Sequence, residues 1–203
     1  SVTGISGKGK THAFDVMLSQ VPDKYKVGER LSDKALFYAE NLSPGMVITM
    51  DDTSLSDQMQ EVLKGVTSNF QKPFRYKTVN KDRKGVVCQI PERCLWWIAK
   101  VEGTGDDQVL NRMLTAWIDE SEEQDLKVLS RTLRSASAPP EPEVFTRPEM
   151  EVCQAMWEIL FSPVWVVIPY AEDIRFSSAQ NRRNPDMLID LIRANAIIHQ
   201  FQR

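Results

Sequence analysis

The sequence predicts an α/β fold, a central parallel sheet flanked by helices with a small helical appendage, and three observations carry that prediction. A glycine-rich loop closed by lysine and threonine runs into a helical pattern, an apolar run ends in two acids, and a later stretch alternates apolar with polar residues. With 203 residues and 42% hydrophobic content, the chain is long enough to bury a core of its own.

The loop comes first. Gly4, Ile5, Ser6, Gly7, Lys8, Gly9, Lys10 and Thr11 stand in the spacing G-x-x-x-x-G-K-T, the pattern whose backbone N–H groups cradle nucleotide phosphates. Residues Gly4 to His12 are therefore the expected nucleotide-binding segment, with Lys10 reaching the β and γ oxygens of ATP and the Thr11 hydroxyl serving Mg²⁺. Ala13, Phe14, Met17 and Leu18 predict a helix over 11–21, stopped by Pro22. Only Ser1, Val2 and Thr3 precede the loop, fewer than the roughly five or six residues of a usual strand. The sequence is accordingly expected to be a piece of a longer chain.

Tyr25 to Leu31 reads as a short strand, and Ser32 as the cap of a helix over 33–40. After the turn at Ser43-Pro44-Gly45, the run Met46 to Met50 is expected to be a buried parallel strand with Asp51 and Asp52 at its carboxyl end. There Asp51 would hold the metal and Asp52 would orient or deprotonate the attacking water. The plainer alternative is a cap for the helix expected over 57–70, since Thr53, Ser54, Ser56 and Asp57 are all capping types.

From 71 to 90 the pattern alternates and predicts a hairpin, with Phe74, Tyr76 and Thr78 on one arm, Val86 to Ile90 on the other, and a polar turn at 80–85. Lys72, Arg75, Lys77, Lys81, Arg83 and Lys84 face a single acid, Asp82, in this stretch. Such a hairpin suits a nucleic-acid backbone, through counterion release, or is an edge kept soluble by its charges. Among its residues Tyr76 is the one candidate for stacking on a base.

A strand over 94–99, a short helix over 106–114, a strand over 115–118 and, after an acidic stretch, a helix over 122–134 complete a core expected to span 1–137. Residues 138–145 read as a Pro/Ala/Ser linker and 146–203 as a helical module, ending in an amphipathic helix over 185–202 with Asn184 as its cap. The five tryptophans lie in apolar runs and are assigned to the core, and His12 and His199 are too isolated to suggest a metal site.

Composition excludes several classes. Cys88, Cys94 and Cys153 form no C-x-x-C pair and are odd in number, so free thiols in a reducing cytoplasm are expected. The longest apolar stretch, 159–171, is broken by Ser162, Pro163 and Pro169 and is short of the ~20 residues that span a bilayer. A net charge of −3 means that nucleic-acid binding must come from a local patch.

In that order the elements resemble the AAA+ ATPase domain of replicative helicases, nearest the minichromosome maintenance group and also similar to superfamily-three viral helicases. Residues 4–11 match Walker A, Val47 to Asp52 match Walker B, and the hairpin falls where the group inserts a DNA-contacting hairpin ahead of its sensor 1 strand, here 91–99. Val109 to Leu114 resembles the arginine-finger segment, and Gln180 to Arg183 the start of the lid helix that carries sensor 2. The resemblance implies an AAA+ core with a pre-sensor hairpin and a helical lid, binding ATP and Mg²⁺ between the protomers of a homo-oligomeric, hexameric ring. It implies Lys10, Asp52, Arg112 and Arg183 as catalytic residues, Thr11 and Asp51 as metal ligands, and Lys81, Arg83 and Lys84 as contacts to single-stranded DNA. The expected function is that of an ATP-driven DNA helicase or replication-initiation motor, against the alternatives of a protein-remodelling ATPase or an ATP-gated scaffold.

Overall fold

The computed structural model describes residues 1–27, 33–36, 38–39, 41–50, 55–79, 85–100, 107–137, 147–160, 164–177 and 183–202. Two compact units divide the chain, Ser1–Glu151 and Val152–Arg203.

The first unit opens with β1 (Val2–Thr3), α1 (Lys10–Ser19), α2 (Asp33–Leu36), β2 (Val47–Met50) and α3 (Asp57–Ser68). It continues through β3 (Phe74–Val79), β4 (Gly85–Ile90), β5 (Leu95–Lys100), α4 (Asp107–Leu110), β6 (Ala116–Trp117) and α5 (Glu122–Ala136). Among the described residues four strands form one parallel sheet in the order β2-β5-β1-β6. The acid-bearing strand is thus not beside the loop-bearing strand: β5 lies between them, pairing Val2 with Ala99 on one edge and Met50 with Ile98 on the other. The strand expected over 25–31 is reduced, among the described residues, to a single parallel bridge between Lys26 and Val47 beyond the β2 edge, after a 3-10 turn at Asp23–Tyr25.

Both faces of this sheet are covered, as a parallel sheet requires. Successive β5 residues point to opposite sides. Ile98 joins a core with Ile48, Met50, Met59, Val62, Leu63 and Ile90, whereas Ala99 joins Val2 and Phe14 of α1, with Trp97 and Ile118 packed alongside. In α3 the apolar residues Met59, Val62, Leu63 and Val66 recur at helical spacing and are all buried. The Ser56 hydroxyl caps that helix by accepting from Met59 N at 3.2 Å.

The hairpin forms as predicted, with β3 and β4 antiparallel from Phe74↔Ile90 to Val79↔Gly85. Cys88 and Ile90 are buried while Arg75, Lys77, Val79 and Val87 are exposed. Tyr76 packs against the core rather than facing out as a stacking platform. The Gln58 amide donates to Thr78 Oγ1 at 2.9 Å and ties α3 to the hairpin.

Three tryptophans depart from expectation. Trp96 and Trp97 are half-buried on β5, but Trp117, Trp157 and Trp165 are exposed. Apolar neighbours in sequence did not place these rings under a second layer. All three cysteines are free, and burial pushes the thiols of Cys88 and Cys94 up from their ordinary value.

Helix α6 (Pro148–Leu160) straddles the boundary between the units, and α7 (Arg183–Ile198) lies in the second. The second unit is helical, and none of its described residues is buried. Its last helix starts at Arg183, ahead of the expected Asn184 cap, with Pro185 tolerated in the first turn. Among the described residues no helix is long and apolar enough to cross a membrane.

Candidate phosphate-binding site

The site is built where β1 ends. At Gly4 the chain leaves the sheet, and it turns through Gly7 (φ 82°) and Gly9 (φ 89°), left-handed conformations that favour glycine. It then enters α1, whose first internal hydrogen bond runs from Ala13 N to Gly9 O at 2.9 Å. The amino end of α1 therefore closes the loop, and that is the end of a helix that attracts anions.

Lys10 is 6% exposed and curls back over the loop, its Nζ donating to Gly4 O and Ile5 O at 3.0 Å each. A buried ammonium has to be paired or hydrogen-bonded, and here the loop's own carbonyls hold it. Thr11 and His12 are exposed on the first turn of α1. The Lys8 ammonium pairs with Asp125 Oδ2 at 2.5 Å, and the Ile5 N–H donates to Glu120 Oε1 at 2.6 Å. Glu120 comes from the segment that links β6 to α5, and Asp125 from the first turn of α5. There Ser121 caps α5 by accepting from Gln124 N, and Asp119 accepts from Ser121 N at 3.0 Å. Its bonds to the Ser121 hydroxyl and backbone hold the Asp119 carboxyl below the usual range.

Asp51 and Asp52 lie outside the described residues, as do Lys81, Arg83 and Lys84. Arg112 follows α4, and its Nη1 donates to Lys64 O at 2.6 Å and to Ser68 Oγ. A guanidinium thus sits on the carboxyl end of α3, where the helix dipole favours a cation. The Arg112 Nε is buried with no hydrogen-bond partner among the described residues. Arg183 begins α7 in the second unit. Among the described residues no group of His, Cys, Asp and Glu side chains could hold a metal ion by itself.

Sequence reasoning passed over Glu120 and Asp125. The acid-rich stretch 119–124 was legible as the approach to a helix over 122–134, but both bonds join residues more than a hundred positions apart. No local signal marks them.

Residues 1–162 match a family model described as the MTBMA_p00010 P-loop domain. A comparison with curated proteins found no match.

Proposed function

The chain belongs to the MTBMA_p00010 P-loop domain family, and we propose that it is the ATP-hydrolysing motor of a DNA helicase or replication-initiation protein, working as an oligomeric ring on single-stranded DNA. The family and the loop together make it a nucleotide-binding domain of α/β P-loop type. The motor reading rests on one further observation, the way the hairpin is attached. Only Pro91, Glu92, Arg93 and Cys94 separate β4 from β5, and β5 lies directly against the strand that feeds the phosphate loop. A shift of β5 on nucleotide turnover is therefore passed to a hairpin whose outer face carries Arg75 and Lys77.

In this reading Lys10 exchanges its two carbonyl partners for the β and γ oxygens of ATP. Thr11, exposed on the first turn of α1, and Asp51, which follows β2 in sequence, would be the residues that hold Mg²⁺. The bound Mg²⁺ supplies neutralisation of phosphate charge. Asp52 orients the attacking water, and Arg112 exchanges its hold on α3 for the γ-phosphate of an adjoining protomer. Arg183 answers the loss of that phosphate, and Lys81, Arg83 and Lys84 follow the DNA backbone.

Hydrolysis assays test the reading. Lys10→Ala should abolish ATP turnover, and single-stranded DNA should stimulate the unmodified chain. The triple variant Lys81→Ala, Arg83→Ala, Lys84→Ala should keep basal turnover and lose the stimulation, with a salt slope shallower by about 0.7 per phosphate contact removed. Turnover that DNA leaves unchanged in an oligomeric preparation would sink the DNA motor. One observation favours a second reading, a polypeptide substrate: Val79 and Val87 are exposed on the same hairpin face. Stimulation by unfolded protein and indifference to salt would select it.

A further inference from the structure

Ala116 N donates to Ser1 O at 2.9 Å and Ile118 N to Thr3 O at 3.1 Å, so alternate residues of β1 face β6. Ile5 is next in that alternation, but at Gly4 the chain has already turned out of the strand. The Ile5 N–H is met instead by the Glu120 carboxylate at 2.6 Å, and the Ile5 C=O by Lys10 Nζ at 3.0 Å. Glu120 therefore replaces the missing rung where strand becomes loop. The approach is close: a Cβ added to Gly4 would stand 2.8 Å from Glu120 Oε1 and 3.4 Å from Ile118 Cβ. Gly7 and Gly9 have the positive φ that favours glycine, and Gly4 does not.

We infer that Glu120 is a positioning residue for nucleotide binding, and that the first glycine of the phosphate motif is needed to admit its carboxylate. The inference rests on the nucleotide-binding reading of the loop. An N–H to carboxylate bond is charge-assisted and stronger than a neutral one. It fixes the peptide between Gly4 and Ile5, and the carbonyls of these two residues hold the Lys10 ammonium. Glu120 thereby sets where Lys10 waits for phosphate, and preorganisation of this kind reduces the ordering cost of binding. Because Oε1 is the tip of a flexible side chain, a methyl group at position 4 displaces the carboxylate and spares the backbone.

The full chain is titrated with a fluorescent ATP analogue and Mg²⁺, with thermal melting recorded for each variant. Gly4→Ala and Glu120→Ala should each weaken binding about tenfold, the worth of one charge-assisted bond. The double variant should bind no worse than Glu120→Ala alone. Glu120→Gln, whose amide oxygen still accepts from Ile5, should stay within about threefold of the unmodified chain, and all melting temperatures should stay close together. Unchanged binding in Glu120→Ala overturns the inference, as does a double variant in which the two losses multiply. Failure of the nucleotide reading itself looks different: the unmodified chain and Lys10→Ala then give the same flat titration. In that event the Ile5 amide decides on the anchor. Its hydrogen exchange, resolved by NMR, should be slow in the unmodified chain and fast in both single variants, and fast exchange in the unmodified chain overturns it.

Discussion

Helices α3 and α5 start alike and end in opposite surroundings. Each is capped by a serine that accepts from the third residue on, and each carries an apolar stripe at helical spacing. In α3 the residues Met59, Val62 and Leu63 are fully buried, whereas Leu126, Leu129 and Leu133 of α5 are all more than half exposed. Cap and periodicity therefore specify that a helix forms and which of its faces is apolar. They do not specify what covers that face, which depends on partners distant in the chain.

The largest effect that would sharpen this contrast is in the core. Leu63→Ala should cost about 2–5 kcal/mol, the usual penalty for emptying a buried leucine site. Leu129→Ala should stay within about 0.5 kcal/mol. Chemical denaturation of both variants measures the gap, and equal losses would mean that α5 is covered in solution.

Gly65 gives the next effect. A Cβ there would stand 2.2 Å from the Phe74 ring, so Gly65→Ala should destabilise by about 1–3 kcal/mol despite the better helix propensity of alanine. In α5 the exposed Ser130→Ala should leave the denaturation midpoint almost unchanged.

Arg112 comes third. Its bonds to Lys64 O and Ser68 predict that Arg112→Ala lowers stability by roughly 1–2 kcal/mol without nucleotide. A group serving only a neighbouring protomer would leave the melting of the isolated chain unmoved, so this measurement separates the structural duty from the catalytic one.

The smallest effect is acid fraying of α5. The Asp119 carboxyl is depressed by its bonds to Ser121, so its contribution is present above the ordinary carboxylate value and is lost as pH falls through the lower folded value. Amide exchange at the start of α5 should quicken below about pH 4. Asp119→Asn should abolish that pH dependence.

The same division governs how much was legible in the sequence. The loop at 4–11 was readable because its chemistry is local, and so were the α3 cap and the β3–β4 alternation. The position of β5 between β1 and β2 was not, since strand order is decided by which surfaces find one another. Glu120 escaped for the same reason, its bond to Ile5 spanning 115 residues. Trp117 was misplaced because two hydrophobic neighbours in sequence guarantee no second layer above an edge strand, and it is 69% exposed.

One consequence of the interposed β5 concerns size. Neighbouring strands lie about 4.8 Å apart, so the carboxyl ends of β1 and β2 are separated sideways by about 10 Å, not by one spacing. A sheet with β1 and β2 adjacent would halve that distance. The distance between the two strand ends is set by a strand that supplies neither of them.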